Sequence, residues 1–191
     1  MIEFGIAKAV NEFGMGTWID GVSELISSRL FLALLFIVIF LFIASFDRKK
    51  GMKIAIAAMV AFSLYYLINE IMIKEVISSL GWERLRPYLA YPNEIIPLGN
   101  LNTDSSFPSS HLASLTAIVF VLSYYYKKKW VWALSILAVI VMAFSRIHNG
   151  MHYPSDALFG ILFGLVYGYF AVRITNYFSK DNKKTRRKRR R

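Results

Sequence analysis

Apolar residues gather into long runs in this chain, and runs near 20 residues are about the length needed to cross a bilayer's hydrocarbon core. Five such runs are predicted to span: Leu30–Phe46, Ile54–Ile73, Pro108–Tyr126, Trp130–Ile147 and Ala157–Phe178. The first 27 residues read differently. Ile2, Ile6, Val10 and Phe13, then Ile19, Val22 and Ile26, recur at helical spacing with Glu3, Lys8, Glu12, Asp20 and Glu24 among them. That pattern predicts amphipathic helices lying in the interface, interrupted at Gly14 and Gly16. The expected fold is all-α. A polytopic transmembrane helical bundle occupies 28–178, an amphipathic segment 1–27 precedes it and a basic tail 179–191 follows. Gly160, Gly164 and Gly168 recur every four residues on the last run, a spacing that predicts close helix packing rather than a ligand site.

Composition agrees with a membrane chain: 56% of the 191 residues are hydrophobic and only 18% charged, against about 25% charged in a soluble domain. The absence of cysteine excludes disulfides and thiolate metal sites. The net charge of +11 is unevenly placed: Lys180 to Arg191 holds nine Lys or Arg against one Asp. Beside apolar spans, such a run reads as a solvated cytoplasmic tail drawn to anionic headgroups, and no nucleic-acid partner is expected. Two basic turns, Asp47–Lys53 and Lys127–Lys129, fall on the same side as the tail if all five runs cross. The positive-inside bias puts that side in the cytoplasm. The loop Lys74–Phe107, His111 and the Arg146–Asp156 turn then share the external face of the cell membrane.

Two short polar motifs on that face carry the chemistry. Pro108-Ser109-Ser110-His111 opens one run, and Ser145-Arg146, His152 and Asp156 sit between the next two, with His111 and His152 separated by 41 positions. Two crossings of about 20 residues account for that separation. Proline and serine suit a helix start, whose free N–H groups and dipole form an anion site beside His111. The same tripeptide is also an ordinary helix opening. Asp156, four residues beyond His152, is placed to hold one ring nitrogen and leave the other as nucleophile or base. Arg146 offers a planar fork of donors to phosphate oxygens. The bland alternative is an Arg–Asp pair closing a helical hairpin; ionisable groups at membrane depth favour function. His148 reads as a loop residue. Spacing alone does not choose which histidine attacks.

Ser-Arg, five residues, His, three residues, Asp, preceded by Pro-Ser-x-His, resembles the type 2 phosphatidic acid phosphatase superfamily. That group includes membrane lipid phosphatases, glucose-6-phosphatases and vanadium haloperoxidases. The resemblance covers roughly Lys74 to Gly164, and within the group is nearest in appearance to undecaprenyl-diphosphate phosphatases. It implies that His152 attacks phosphorus to form a phosphohistidine, that Asp156 orients it, and that His111 protonates the leaving oxygen and later activates water. It also implies that Arg146, Arg86 and the Ser109–Ser110 helix start hold the phosphate oxygens, with no metal or other cofactor. Two departures stand out. Ser110 occupies a position where the family usually has glycine, and eleven residues separate Lys74 from Arg86-Pro87 where the family has six. Either Ser78–Glu83 loops out and returns Lys74 to the phosphate, or Lys74 pairs with Glu70 at i,i+4 spacing. Arg84 either supplies the missing charge or faces headgroups.

The expected activity is hydrolysis of a lipid phosphate in the membrane, with a polyprenyl diphosphate as substrate. Phosphatidylglycerophosphate or phosphatidate is the alternative substrate. A non-catalytic lipid-headgroup or phosphate binding or transport protein is the alternative of another class.

Overall fold

The computed structural model describes residues 2–188, with side chains to residue 179 except those of Phe42, Ile43 and Phe46. The solvated tail read from Lys180–Arg191 therefore lies outside the described side chains. The described residues form helices: α1 (Ile2–Glu12), α2 (Trp18–Ser27), α3 (Arg29–Phe46), α4 (Arg48–Leu64), a π-helical stretch (Tyr65–Ile73), α5 (Lys74–Ser79), α6 (Pro87–Ala90), α7 (Ser110–Tyr126), α8 (Lys129–His148) and α9 (Pro154–Lys188). Gly14 and Gly16, at φ 70° and 80°, turn the chain between α1 and α2, and the Thr17 hydroxyl caps α2 by accepting from Ile19 N–H.

Three helical stretches are long and apolar enough to cross a membrane: Arg48–Ser79, Lys129–His148 and Pro154–Ser179. The count is four if Trp18–Ser27 and Arg29–Leu41, bent by 66° where they meet, form one broken span. Of the five expected runs, the second is extended at both ends into α4, the π stretch and α5. The third is a shorter apolar helix of 17 residues. Its start lies two residues beyond the expected Pro108, because Ser109 N–H is drawn to the Asp156 carbonyl at 3.1 Å. Leucine, isoleucine and phenylalanine side chains along α3, α8 and α9 stand outward, including Leu34, Ile37, Leu134, Ile140, Leu162 and Phe170. Such a surface belongs to a multi-pass membrane protein.

Small residues let the central helices approach closely. Ile54, Ala57 and Ala61 of α4 pack with Ala113, Ala117 and Val121 of α7 and with Tyr167, Ala171 and Val172 of α9. The glycine spacing on α9 serves this contact. A Cβ on Gly164 would stand 2.6 Å from the Ala113 carbonyl and from Thr116 Cβ, and one on Gly160 would stand 2.6 Å from the Ser109 carbonyl. Gly164→Leu is expected to lower stability by about 1–3 kcal/mol through overpacking. Thermal unfolding in detergent checks this, and an unchanged midpoint would contradict the close α7–α9 approach.

The bundle has chemically distinct ends. Lys50 lies 4.0 Å from the Tyr126 ring centroid and Lys53 5.1 Å from that of Tyr125, so the two basic turns meet at one end. The polar motifs gather at the other, where α7 begins, α8 finishes and α9 begins. Helices α1 and α2 pack across this second end. Asn11 donates to the carbonyls of Ile96 and His148 at 2.8 and 2.6 Å. His148 is fully buried there, with its ring nitrogens 3.0 Å from the Val10 carbonyl and from Asp20 Oδ1. It is a clamp for the N-terminal helices rather than a loop residue.

Candidate active site

A turn from α8 into α9 fixes the first histidine. Gly150, at φ +70°, permits it, and a Cβ there would meet Ile95 Cγ2 at 2.7 Å. Met151 N–H then bonds to the Arg146 carbonyl at 3.2 Å, and His152 follows with 3% exposure. Its Nδ1 lies 2.8 Å from the Ser106 carbonyl. A carbonyl only accepts, so Nδ1 carries the proton and Nε2 keeps its lone pair. Arg86 Nη1 is 3.5 Å from that Nε2.

The carboxylate expected on His152 is nearby but is not its hydrogen-bonding partner. Asp156 Oδ2 is 3.8 Å from Nδ1, while it accepts from Tyr153 N–H at 2.8 Å. Its Oδ1 accepts from Arg84 Nη1 at 2.7 Å. Four residues of separation bring the two groups near, but the 105–107 segment reaches the ring first. Arg84 is fully engaged here: it also meets Ser155 Oγ at 2.6 Å and Glu3 Oε2 at 2.7 Å, and lies over the Tyr153 ring. Glu3 closes the link from α1 by accepting from Ser155 N–H at 2.8 Å.

Burial first, then the charges of Arg146 and Arg86, hold the pKa of His152 well below the ordinary imidazole value of 6.5. The neutral ring is therefore kept at neutral pH. If neutral His152 is required, activity persists as pH falls and is lost only through this depressed pKa. The acid limb of kcat/KM, which reports the free protein, is expected below about 6.5. A limb at or above that value in a pH–rate profile would contradict it.

Of the two readings its spacing allowed, Lys74 takes the i,i+4 pairing with Glu70, and it adds a second carboxylate. It pairs with Glu70 at 3.1 Å and with Asp104 at 2.8 Å. Asp104 in turn accepts from Arg86 Nη2 at 2.7 Å, and its carbonyl accepts from Arg86 Nε at 3.0 Å. The intervening residues do not loop out as Ser78–Glu83; α5 continues to Ser79 and Gly81 turns the chain at φ +68°. Burial alone would raise the Asp104 pKa, but Lys74 and Arg86 hold it down to about 2. Asp104 is thus a permanent counter-ion to both cations.

The second histidine lies at the start of α7. Ser109 and Ser110 are buried, and the Ser109 hydroxyl is without a partner. The Ser110 hydroxyl donates to Glu70 Oε1, so the serine in the usual glycine position is turned toward α4's π-helical extension. His111 is 7% exposed, with the Ser27 backbone beside its ring and Nε2 unpartnered. Arg146 is equally buried at 4%, has an unpartnered Nε, and makes no ion pair among the described residues.

Two cavities meet at His111. One, about 480 Å³, is walled mainly by apolar side chains of α3, α4 and α7, such as Phe36, Phe62 and Ile118. The other, about 850 Å³, is polar and includes Ser27, Asn100, Asn102 and Arg146. His152 and Arg86 border neither. Among the described residues no three His, Asp or Glu side chains converge as a metal-holding set. Asp104, Ser106, Glu70 and Glu3 were not singled out from sequence as site residues, since only the folded chain brings them to the motifs.

The chain is similar to known proteins. Over 128 residues, 66% of this chain and 57% of the relative, it is 29% identical to a Sulfolobus acidocaldarius protein named undecaprenyl-diphosphatase. Over 122 residues it is 32% identical to a Bacillus licheniformis protein named bacitracin transport permease protein BcrC, covering 63% of this chain and 55% of that one. The matches thus span little more than half the length of these relatives. The crystal structure of the first transmembrane PAP2 type phosphatidylglycerolphosphate phosphatase from Bacillus subtilis superposes with TM-score 0.68 at 22% identity, over 94% of this chain and 85% of that one. At that identity the likeness concerns the fold alone. The PAP2 superfamily pattern itself matches residues 59–180, a stretch that takes in both histidine motifs and the cations around them, and the chain belongs to that superfamily.

Proposed function

We propose that this protein is an integral membrane lipid phosphatase that hydrolyses a polyprenyl diphosphate to the monophosphate through a phosphohistidine. The observation that carries this reading is Arg146: a buried guanidinium with no ion pair among the described residues, bordering a polar cavity with His111 and acting electrostatically on His152. A buried charge is costly without a counter-ion, and a phosphoryl group supplies one. In the mechanism, His152 Nε2 attacks the terminal phosphorus as the bond to the bridging oxygen breaks. His111 gives that oxygen its proton. Water then attacks the phosphohistidine, loses its proton to His111, and inorganic phosphate leaves. Arg146, Arg86 and the Ser109–Ser110 helix start stabilise the phosphoryl oxygens, with Lys74 holding Asp104 against Arg86. Asp156 supports the His152 turn. Guanidinium groups and N–H donors take the electrostatic load, so no metal is required.

An apolar cavity joined to a polar one suits a molecule with a charged head and an isoprenoid tail, and the Sulfolobus relative's name favours the diphosphate. The orientation in this reading has five crossings, the basic end in the cytoplasm and the site outside, where spent diphosphate carriers appear. A cysteine at Asn102 is then labelled by an impermeant thiol reagent and one at Lys128 is not. Phosphate release from a polyprenyl diphosphate, compared with phosphatidylglycerophosphate and phosphatidate, tests the substrate; faster turnover of a glycerophospholipid would overturn it. The Bacillus licheniformis relative's name suits a binding or transport protein instead. That reading predicts intact function after His152→Ala.

A further inference from the structure

Arg29 plays no part in the chemistry above. It opens α3 at the sharp bend from α2, is exposed, and makes no ion pair among the described residues. Its position is distinctive: among the described residues, only Arg29 and His111 border both the apolar and the polar cavity. Glu24 also borders the polar cavity, but its Cγ lies toward Gly99.

The cations serve both histidines. Arg86 is within hydrogen-bonding range of His152 Nε2. The charges acting on His152 include Arg146 and Arg86, whereas those acting on His111 include Arg146 and Arg29. Arg146 is reached by both Arg86 and Arg29. Arg86 thus stands at His152, while Arg29 lines both cavities with His111 and Arg146 lines the polar one. Two buried atoms without partners, His111 Nε2 and Arg146 Nε, belong to residues that line the polar cavity.

We propose that Arg29 binds the second phosphate of a lipid diphosphate, the one that departs with the lipid, and so sets a preference for diphosphate over monophosphate headgroups. This rests on the phosphatase reading. When the terminal phosphorus joins His152 and the bridging oxygen takes a proton from His111, the departing phosphate lies beyond His111. That is where the two cavities meet and where Arg29 stands. A monophosphate lipid has only one phosphate, which the Arg86–Arg146 half holds. Arg29 then meets an ester or glycerol oxygen instead of a charged phosphate. The guanidinium's fork suits a phosphate in a way that a point charge does not.

The test separates binding from turnover. The His152→Ala protein, purified in detergent, is titrated calorimetrically with inorganic pyrophosphate and with inorganic phosphate, with and without Arg29→Ala. Loss of one charge-assisted contact predicts that the pyrophosphate-to-phosphate affinity ratio falls about 10- to 100-fold. Arg29→Lys is expected to restore part of it. A ratio unchanged within about twofold overturns the proposal, as does an equal loss for both anions; these limits are set against the tenfold expected for a lost contact. In turnover assays with His152 present, the ratio of kcat/KM for a polyprenyl diphosphate over phosphatidate is expected to fall by a similar factor in Arg29→Ala. The phosphatase reading fails separately, if the unmutated protein releases phosphate from no lipid substrate.

Discussion

Replacing His152 by alanine is expected to reduce phosphate release from a polyprenyl diphosphate by at least about 10⁴-fold in kcat, the scale on which loss of a covalent nucleophile is felt. The expectation follows from how completely the ring is specified. Nδ1 is committed to the Ser106 carbonyl, Nε2 faces Arg86, and burial with two nearby cations keeps the imidazole neutral. No neighbour can take over. His148 has both nitrogens engaged with Val10 and Asp20, and His111 is needed on the leaving-group side. The measurement is single-turnover phosphate release, with thermal unfolding to show that the variant is folded. Retention of more than about 1% of the rate would be far outside the loss expected for a nucleophile.

Arg146→Lys carries the second largest expected effect, a fall of about 10²–10³ in kcat, comparable to removing one donor from an oxyanion site. The substitution keeps the charge and discards the fork. Arg146 is buried at the end of α8, unpaired among the described residues and within reach of Arg86 and Arg29. Lysine there offers a point charge where phosphate oxygens call for planar, paired donors. The loss should appear in kcat more than in KM, because oxygens of the transferring group gain their strongest contacts in the transition state. A variant within tenfold of the original kcat would place the guanidinium outside the reacting group's reach.

How far these features could be read from the chain alone depends on their range. The helices were legible because apolar runs and interfacial spacing are local, and the α9 glycines because a four-residue repeat puts them on one face. The histidine motifs stood out because polar residues at the ends of apolar runs have little structural use. Lys74 was legible as a partner of Glu70 one turn away, but Asp104, thirty residues on, was not, because only the folded chain brings it there. The partners of Arg84 were hidden because a lone arginine in a loop gives no hint that carboxylates from α1 and α9 will pair with it. Ser106, which holds the His152 ring, lies 46 residues before it in a segment without periodicity. Its carbonyl is a backbone group that any residue could supply. The π-helical stretch was equally hidden. Its sequence, Tyr65–Ile73, is as apolar as a regular span, yet it ends where Glu70 and Lys74 turn toward α7 and Asp104.

The central claim is that phosphate passes through His152, and trapping it is the most direct test. Purified protein is mixed with polyprenyl diphosphate labelled at the terminal phosphorus, in EDTA, quenched in alkali within milliseconds, and digested for mapping. The account predicts acid-labile, alkali-stable label on the peptide containing His152, and none in His152→Ala. Continued hydrolysis with no protein-bound phosphate, or with label on His111 instead, would contradict it.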